Sequence, residues 1–174
     1  MSIEIERKFL VRDGSWREGA AAGERLCQGY LANTPRSSVR VRVAGERAWL
    51  SVKGMDPGPV RAEFEYGIPV ADARAMLAAF AEGPLVEKLR HRVAVGSHCY
   101  ELDEFHGANA GLVVAEIELD APDEAFPRPP WLGDEVTDDG RFHNFRLATA
   151  PFRSWPAAAQ RAVAMGSAPG PGEA

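Results

Sequence analysis

Residues 39–43 read Val39-Arg40-Val41-Arg42-Val43. Successive side chains of a strand point to opposite sides, so this run sets two guanidinium groups on one face and three valines on the other. Taken alone, it is a half-buried strand with one face in water. What the fold is depends on whether neighbouring segments repeat the pattern.

They do. Residues 47–53 end in Lys53, and 60–68 set Glu63 and Glu65 between Ala62, Phe64 and Tyr66. Residues 85–95 oppose Lys88, Arg90 and Arg92 to Leu89, His91 and Val93. Residues 98–105 oppose Glu101 and Asp103 to Tyr100 and Leu102, and 112–120 set Glu116 and Glu118 around Ile117 and Leu119. At the N-terminus, 2–11 line up Glu4, Glu6 and Lys8 against Ile3, Ile5, Phe9 and Val11. With 25–31 and 38–44 these make eight candidate strands, joined by turn-like pieces such as 45–48 and 54–59.

A solvated face mixes Thr, Ser and Gln with its charges, whereas these faces are almost purely charged, acidic on some strands and basic on others. Closing eight strands into a barrel brings the charged faces together, either all outside or all inside. Inside, ionised groups are tolerated only when opposite charges pair and ligands or metal ions complete them. A lining of carboxylates with Arg and Lys suits a polyanion bound together with divalent cations. The pattern by itself points to a mainly β (α+β) chain and leaves both placements of the charged faces open.

The remaining features bound this reading. The chain has 174 residues, 45% of them hydrophobic and 26% charged, which fits one domain. The predicted domain covers 1–165, and the small, Pro/Gly-rich stretch 166–174 reads as disordered. A net charge of −5 argues against a nucleic-acid partner. The charged N-terminus and the lack of any long apolar run point to a cytoplasmic protein with no membrane partner, a monomer or homodimer. Cys27 and Cys99 are too few for a disulfide scaffold and read as reduced core thiols. One helix is predicted over 71–83, started by Asp72, ended by Gly83 and Pro84, with Met76, Leu77 and Phe80 on one face. A short helix is expected over 123–127, and another from about Thr137 through 140–148. His91, His98, His106 and His143 lack the spacing of a zinc site and read as surface or packing residues, and Tyr30 as packing. No Gly-rich phosphate loop or nucleophile elbow occurs.

Glu4-x-Glu6-x-Lys8, followed in order by Arg40 and Arg42, Lys53, Glu63 and Glu65, Lys88 and Arg90, Asp103, and Glu116 and Glu118, resembles the CYTH superfamily of triphosphate tunnel metalloenzymes over about residues 2–150. The phrases around Gln28-Gly29-Tyr30-Leu31 and 135–144 are similar to those of its short bacterial members, the inorganic tripolyphosphatases. The resemblance implies a mainly β (α+β) fold, an eight-stranded antiparallel barrel forming a charged tunnel with a few helices packed outside, and a metal-dependent triphosphatase that splits tripolyphosphate into pyrophosphate and phosphate using Mg²⁺ or Mn²⁺. It implies Glu4, Glu6, Asp103, Glu116 and Glu118 as metal ligands. Lys8, Arg40, Arg42, Lys53, Lys88, Arg90 and Arg146 would bind the small-molecule substrate, and Glu63, Glu65 and Lys88 would serve catalysis. Within the same resemblance stand a class IV-type adenylate cyclase, a thiamine triphosphatase and a non-catalytic polyphosphate-binding module.

Overall fold

The computed structural model describes residues 2–54 and 60–170, without the side chains of residues 2–4, 60 and 61. Its strands are β1 (Ser2–Val11), β2 (Glu24–Asn33), β3 (Ser37–Ala44), β4 (Arg47–Gly54), β5 (Val60–Gly67), β6 (Val86–Val95), β7 (His98–Phe105), β8 (Val113–Glu118) and β9 (Leu132–Glu135). Three α-helices accompany them: α1 (Val70–Phe80), α2 (Asn144–Thr149) and α3 (Ala157–Ala164).

The strands are hydrogen-bonded in the order β5-β4-β3-β2-β6-β7-β8-β1-β9, every pair antiparallel. β1 pairs β8 through Glu6–Leu10, and through Ser2–Ile5 it pairs β5, at the other end of the order. That four-residue ladder brings the run of eight strands back on itself. Tight turns at Gly45 (φ 55°) and Gly96 (φ 62°) link β3 to β4 and β6 to β7, at positive φ where glycine carries no steric cost.

The outward faces are apolar, as the period of two predicts, and are covered in two places. Ala73 and Leu77 of α1 pack on Val41 and Ala48, beneath the β2–β4 wall. Gly29 permits this approach, since a Cβ there would lie 2.8 Å from Leu77 and Leu85. Elsewhere Trp16, Trp131 and Leu132 cover Ile5, Phe9, Val93, Tyr100, Leu102 and Ile117.

Several expectations need correction. β9 is an added ninth strand, unforeseen because it is four residues long and meets β1 only at Phe9 and Val11. α1 starts at Val70 behind Pro69, with no side-chain cap from Asp72. Its face buries Ala73 and Leu77 and leaves Phe80 65% exposed. No helix forms over 123–127. Pro122 and Pro127 bracket too short a run, and the Glu124 carboxylate accepts from Asp120 N at 2.6 Å to make a turn instead. The helix expected from Thr137 breaks into a 3-10 turn at Gly140–Phe142, capped by Asp139, and then α2. α3 and a 3-10 turn at Ser15–Gly19 were not foreseen. The thiols are free, but Cys99 is exposed rather than in the core. Of the stretch 166–174, residues 166–170 are held: Asp134 N donates to Gly166 O at 2.8 Å and Arg141 Nη2 to Pro169 O at 2.8 Å.

Candidate active site

The period of two that turns Ile5, Val41, Leu102 and Ile117 outward turns the charged residues in. Three cavities open along the strand interior and share walls. The first and second both touch Glu6, Arg90 and Glu116, the first and third share Arg40, Arg42 and Arg90, and the second and third share Arg92, Glu101 and Glu118. They form one continuous tunnel with Arg90 on all three sections.

Charge is distributed unevenly along it. The first section gathers Lys8, Arg40, Arg42, Lys53, Lys88 and Arg90 with, among the described residues, two carboxylates, Glu6 and Glu116. The second gathers Glu6, Glu101, Glu116, Glu118, Asp120 and Glu124 against Arg90, Arg92 and His98. Among the described side chains, one part is dominated by cationic groups and the adjoining part by carboxylates. The registers Glu6↔Glu118, Lys8↔Glu116 and Arg90↔Asp103 set these groups side by side on neighbouring strands.

Many of these charges pair with one another across the tunnel. Arg90 donates from Nε and Nη2 to the two Asp103 oxygens, each at 2.6 Å, from Nη2 to Glu116 at 2.7 Å, and from Nη1 to Glu101. Lys8 donates to Glu116 at 2.5 Å and ion-pairs Glu6. Lys88 bonds Asp103. On the opposite wall Glu65 accepts from Ser51 at 2.7 Å and from Arg42 at 3.1 Å, and Glu63 lies 3.3 Å from Lys53 and 3.7 Å from Arg40.

The titration of these groups follows from that pairing. Burial pushes Lys88 down to about 8, and Arg90 reinforces the shift while Asp103 opposes it. Burial would raise Glu116, but Lys8, Arg90 and Lys88 overcome it and hold the carboxylate well below its ordinary range. Burial would likewise lower Arg90, yet Asp103, Glu116 and Glu101 hold it well above the usual value. Arg42 is lowered by burial and by its neighbour Arg40.

Glu6, Lys8, Arg40, Arg42, Lys53, Glu63, Glu65, Lys88, Arg90, Glu116 and Glu118, singled out from the sequence, all line the tunnel. Glu4 sits in β1 opposite Arg61, with its side chain outside the described residues. Asp103 is wholly buried behind Lys88 and Arg90 and lines none of the three sections, its two oxygens engaged by those cations. Arg146 is not brought to the tunnel: α2 directs Asn144 and Phe145 to the first section and Leu147 and Ala148 to the core, leaving Arg146 on the exposed side.

Other lining residues escaped the sequence. Gln28, Ser38, Thr137 and Asn144 carry no charge, and His98 and His143 stand singly in the chain. Only Gln28 and Ser38 carried a readable sign, the inward parity of β2 and β3. Tyr30 belongs both to an apolar cluster and to the first section, and burial raises its phenol.

The carboxylates fit a hard divalent cation in kind, since Glu6, Glu116 and Glu118 offer oxygen donors on paired strands and border one section. Among the described residues no three such groups converge as they stand, Lys8 and Arg90 holding Glu6 and Glu116 instead.

The CYTH domain profile matches residues 2–145. The inorganic triphosphatase of Acetivibrio thermocellus is 41% identical over 155 residues, 89% of this chain and 99% of that protein. The inorganic triphosphatase of Nitrosomonas europaea is 39% identical over 83% of this chain and 96% of its own length. A crystal structure of an inorganic triphosphatase superposes with a TM-score of 0.59 at 36% identity, covering 85% of this chain and 95% of the other.

Proposed function

Because this chain belongs to the CYTH family, we propose that it is a metal-dependent triphosphatase that hydrolyses inorganic tripolyphosphate to pyrophosphate and phosphate. The observation that carries this reading is the junction of the cation-lined and carboxylate-lined sections at Glu6, Arg90 and Glu116. A linear triphosphate needs cationic donors along its oxygens, and carboxylates beside it repel it unless divalent cations intervene.

Lys8, Arg40, Arg42, Lys53 and Arg90 bind phosphoryl oxygens in this reading, the arginines through paired N–H donors and the lysines as point charges. Glu4, Glu6, Glu116 and Glu118 would hold Mg²⁺ or Mn²⁺, which would supply charge neutralisation and polarisation of the phosphoryl group. Asp103 serves by fixing Arg90 and Lys88. Glu63 or Glu65 orients a water toward the terminal phosphorus. As the water oxygen bonds phosphorus, the bridging P–O bond breaks and its electrons leave with pyrophosphate. The water proton passes to Lys88, whose depressed pKa of about 8 leaves a fraction of its amine neutral near pH 7. Arg90 and Arg40 stabilise the spreading charge.

The working unit is residues 1–165, since α3 supplies Ala159 and Val163 to the same cluster as Leu10 and Val114. In this reading it acts in the cytoplasm as a monomer or homodimer, and no described helix is long and apolar enough to cross a membrane. Product analysis with tripolyphosphate, ATP, thiamine triphosphate and pyrophosphate, each with Mg²⁺ and Mn²⁺, tests the proposal. Tripolyphosphate should be cleaved fastest, with one phosphate released per pyrophosphate. Cyclic nucleotide from ATP, or binding without turnover of any substrate, would refute it.

A further inference from the structure

Gln28 is wholly buried on the inward face of β2 and lines the cation-rich section, yet neither its Nε2 nor its Oε1 has a hydrogen-bond partner. A buried primary amide left so costs about 1–3 kcal/mol, and native proteins keep few such groups. Its surroundings define what would satisfy it. Gln28 stands directly opposite Arg42 on β3, with Arg40 opposite the next inward residue, Tyr30. On β6 it stands opposite Val86, with Lys88 opposite the preceding inward residue, Leu26. Diagonal neighbours on paired strands are about 7–8 Å apart, within reach of long side chains meeting a common ligand. The Nε atoms of Arg40 and Arg42 are also buried without a hydrogen-bond partner. One wall of the tunnel thus holds three adjacent side chains that each carry a buried N–H donor without an acceptor, although Arg42 also donates from Nη2 to Glu65 and Arg40 from Nη2 to Ser51.

We infer that the Gln28 carboxamide contacts the substrate, donating from Nε2 to a phosphoryl oxygen held by Arg40 and Arg42. This rests on the triphosphatase reading and adds a neutral donor to its charged lining. Among those cations a carboxamide has a distinct use. Its NH₂ binds the anion, and its oxygen accepts from an adjacent guanidinium, which fixes the donor's direction without adding charge.

The test separates stability from binding. Gln28→Met keeps length and approximate volume and removes both polar atoms. Without ligand or metal, its melting temperature should equal or exceed that of the wild type, since no hydrogen bond is lost. Stabilisation of the metal-free protein by tripolyphosphate should need about tenfold more ligand, and KM with metal should rise about tenfold with kcat within about twofold. Gln28→Glu offers a carboxylate to Arg42 and should melt higher while raising KM by about 100-fold or more, as like charges meet.

A lower melting temperature for Gln28→Met with unchanged ligand dependence would make the amide structural and overturn the inference. Failure of Gln28→Met to fold would do the same. Unchanged melting, binding and KM would show that nothing contacts it. If the wild type binds tripolyphosphate without hydrolysing it, the triphosphatase reading fails by itself, and the shift in binding still decides the role of Gln28.

Discussion

The inward faces of the same strands behave differently at the two ends of the barrel. On β1 the inward order is Glu6, Lys8, Leu10; on β6 it is Arg90, Lys88, Val86; on β8 it is Glu118, Glu116, Val114; on β7 it is Glu101, Asp103, Phe105. The charged part stays open as a tunnel. The apolar part is filled, as Leu10, Val86, Phe105 and Val114 pack with Phe142, Leu147, Phe152, Trp155 and Val163 from the chain after β9. One interior therefore contains a core and a site, divided within two residues on each strand. Apolar side chains are satisfied by protein, so that end is plugged. The charges are satisfied only partly by one another, which leaves them able to exchange partners with an anion.

The contrast is broken most severely from the plugged end. Phe142 is 1% exposed and stacks edge-on against Trp155 at 5.3 Å. Phe142→Ala should cost about 3–5 kcal/mol of stability, with kcat per folded molecule preserved, read by denaturant unfolding alongside active-site-normalised rates. A large loss of kcat at full folding would mean that the plug takes part in the chemistry.

Glu6→Gln is the opposite case. It keeps shape and removes one carboxylate of the proposed metal site, so hydrolysis should fall by about 100-fold or more. Folding should change by less than about 1 kcal/mol, since its partner Lys8 retains Glu116. Rates across a Mg²⁺ and Mn²⁺ titration check this, and near-wild-type activity at low metal concentration would remove Glu6 from the site.

The third prediction concerns pH. Lys88 acts as a base only when neutral, and its pKa is depressed to about 8, so kcat/KM should rise with pH below 8 and level off above it. Over that limb the slope is about tenfold per pH unit. Lys88→Arg, charged throughout, should lose the rise. Dividing the wild-type profile by that of the variant removes the titration of the substrate itself, and a flat ratio would exclude Lys88 as the base.

The smallest effect belongs outside the barrel. Tyr66 is 58% exposed on the outer face of β5, so Tyr66→Ser should shift stability by no more than about 0.5 kcal/mol and leave kcat and KM unchanged. A larger change would show that this face is covered when the protein works.

How much of this was legible follows from physical range. Alternation is local, so Arg40 with Arg42, Lys88 with Arg90 and Glu116 with Glu118 were each assignable to one strand face from adjacent residues, and the purity of the charge marked those faces as unusual. Arg146 was misplaced because it belongs to a helix, where 100° per residue separates neighbours and the orientation of α2 against the barrel decides which of them reaches the tunnel. Asp103 shares the parity of Glu101, yet it lies beneath the lining because Arg90 and Lys88 close over it. Gln28 is neutral, and its meaning came from two neighbouring strands rather than its own.

By itself the sequence determined the eight longer strands, their charged and apolar faces and the order of the acidic and basic segments, because these rest on a period of two residues. Only the tertiary structure decided that the charged faces point inward, that β5 returns to β1, and that the chain after β9 plugs one end. Those outcomes depend on pairings between residues as distant as Ile5 and Val60, or Leu10 and Val163, and no local pattern encodes the free energy of contacts so far apart along the chain.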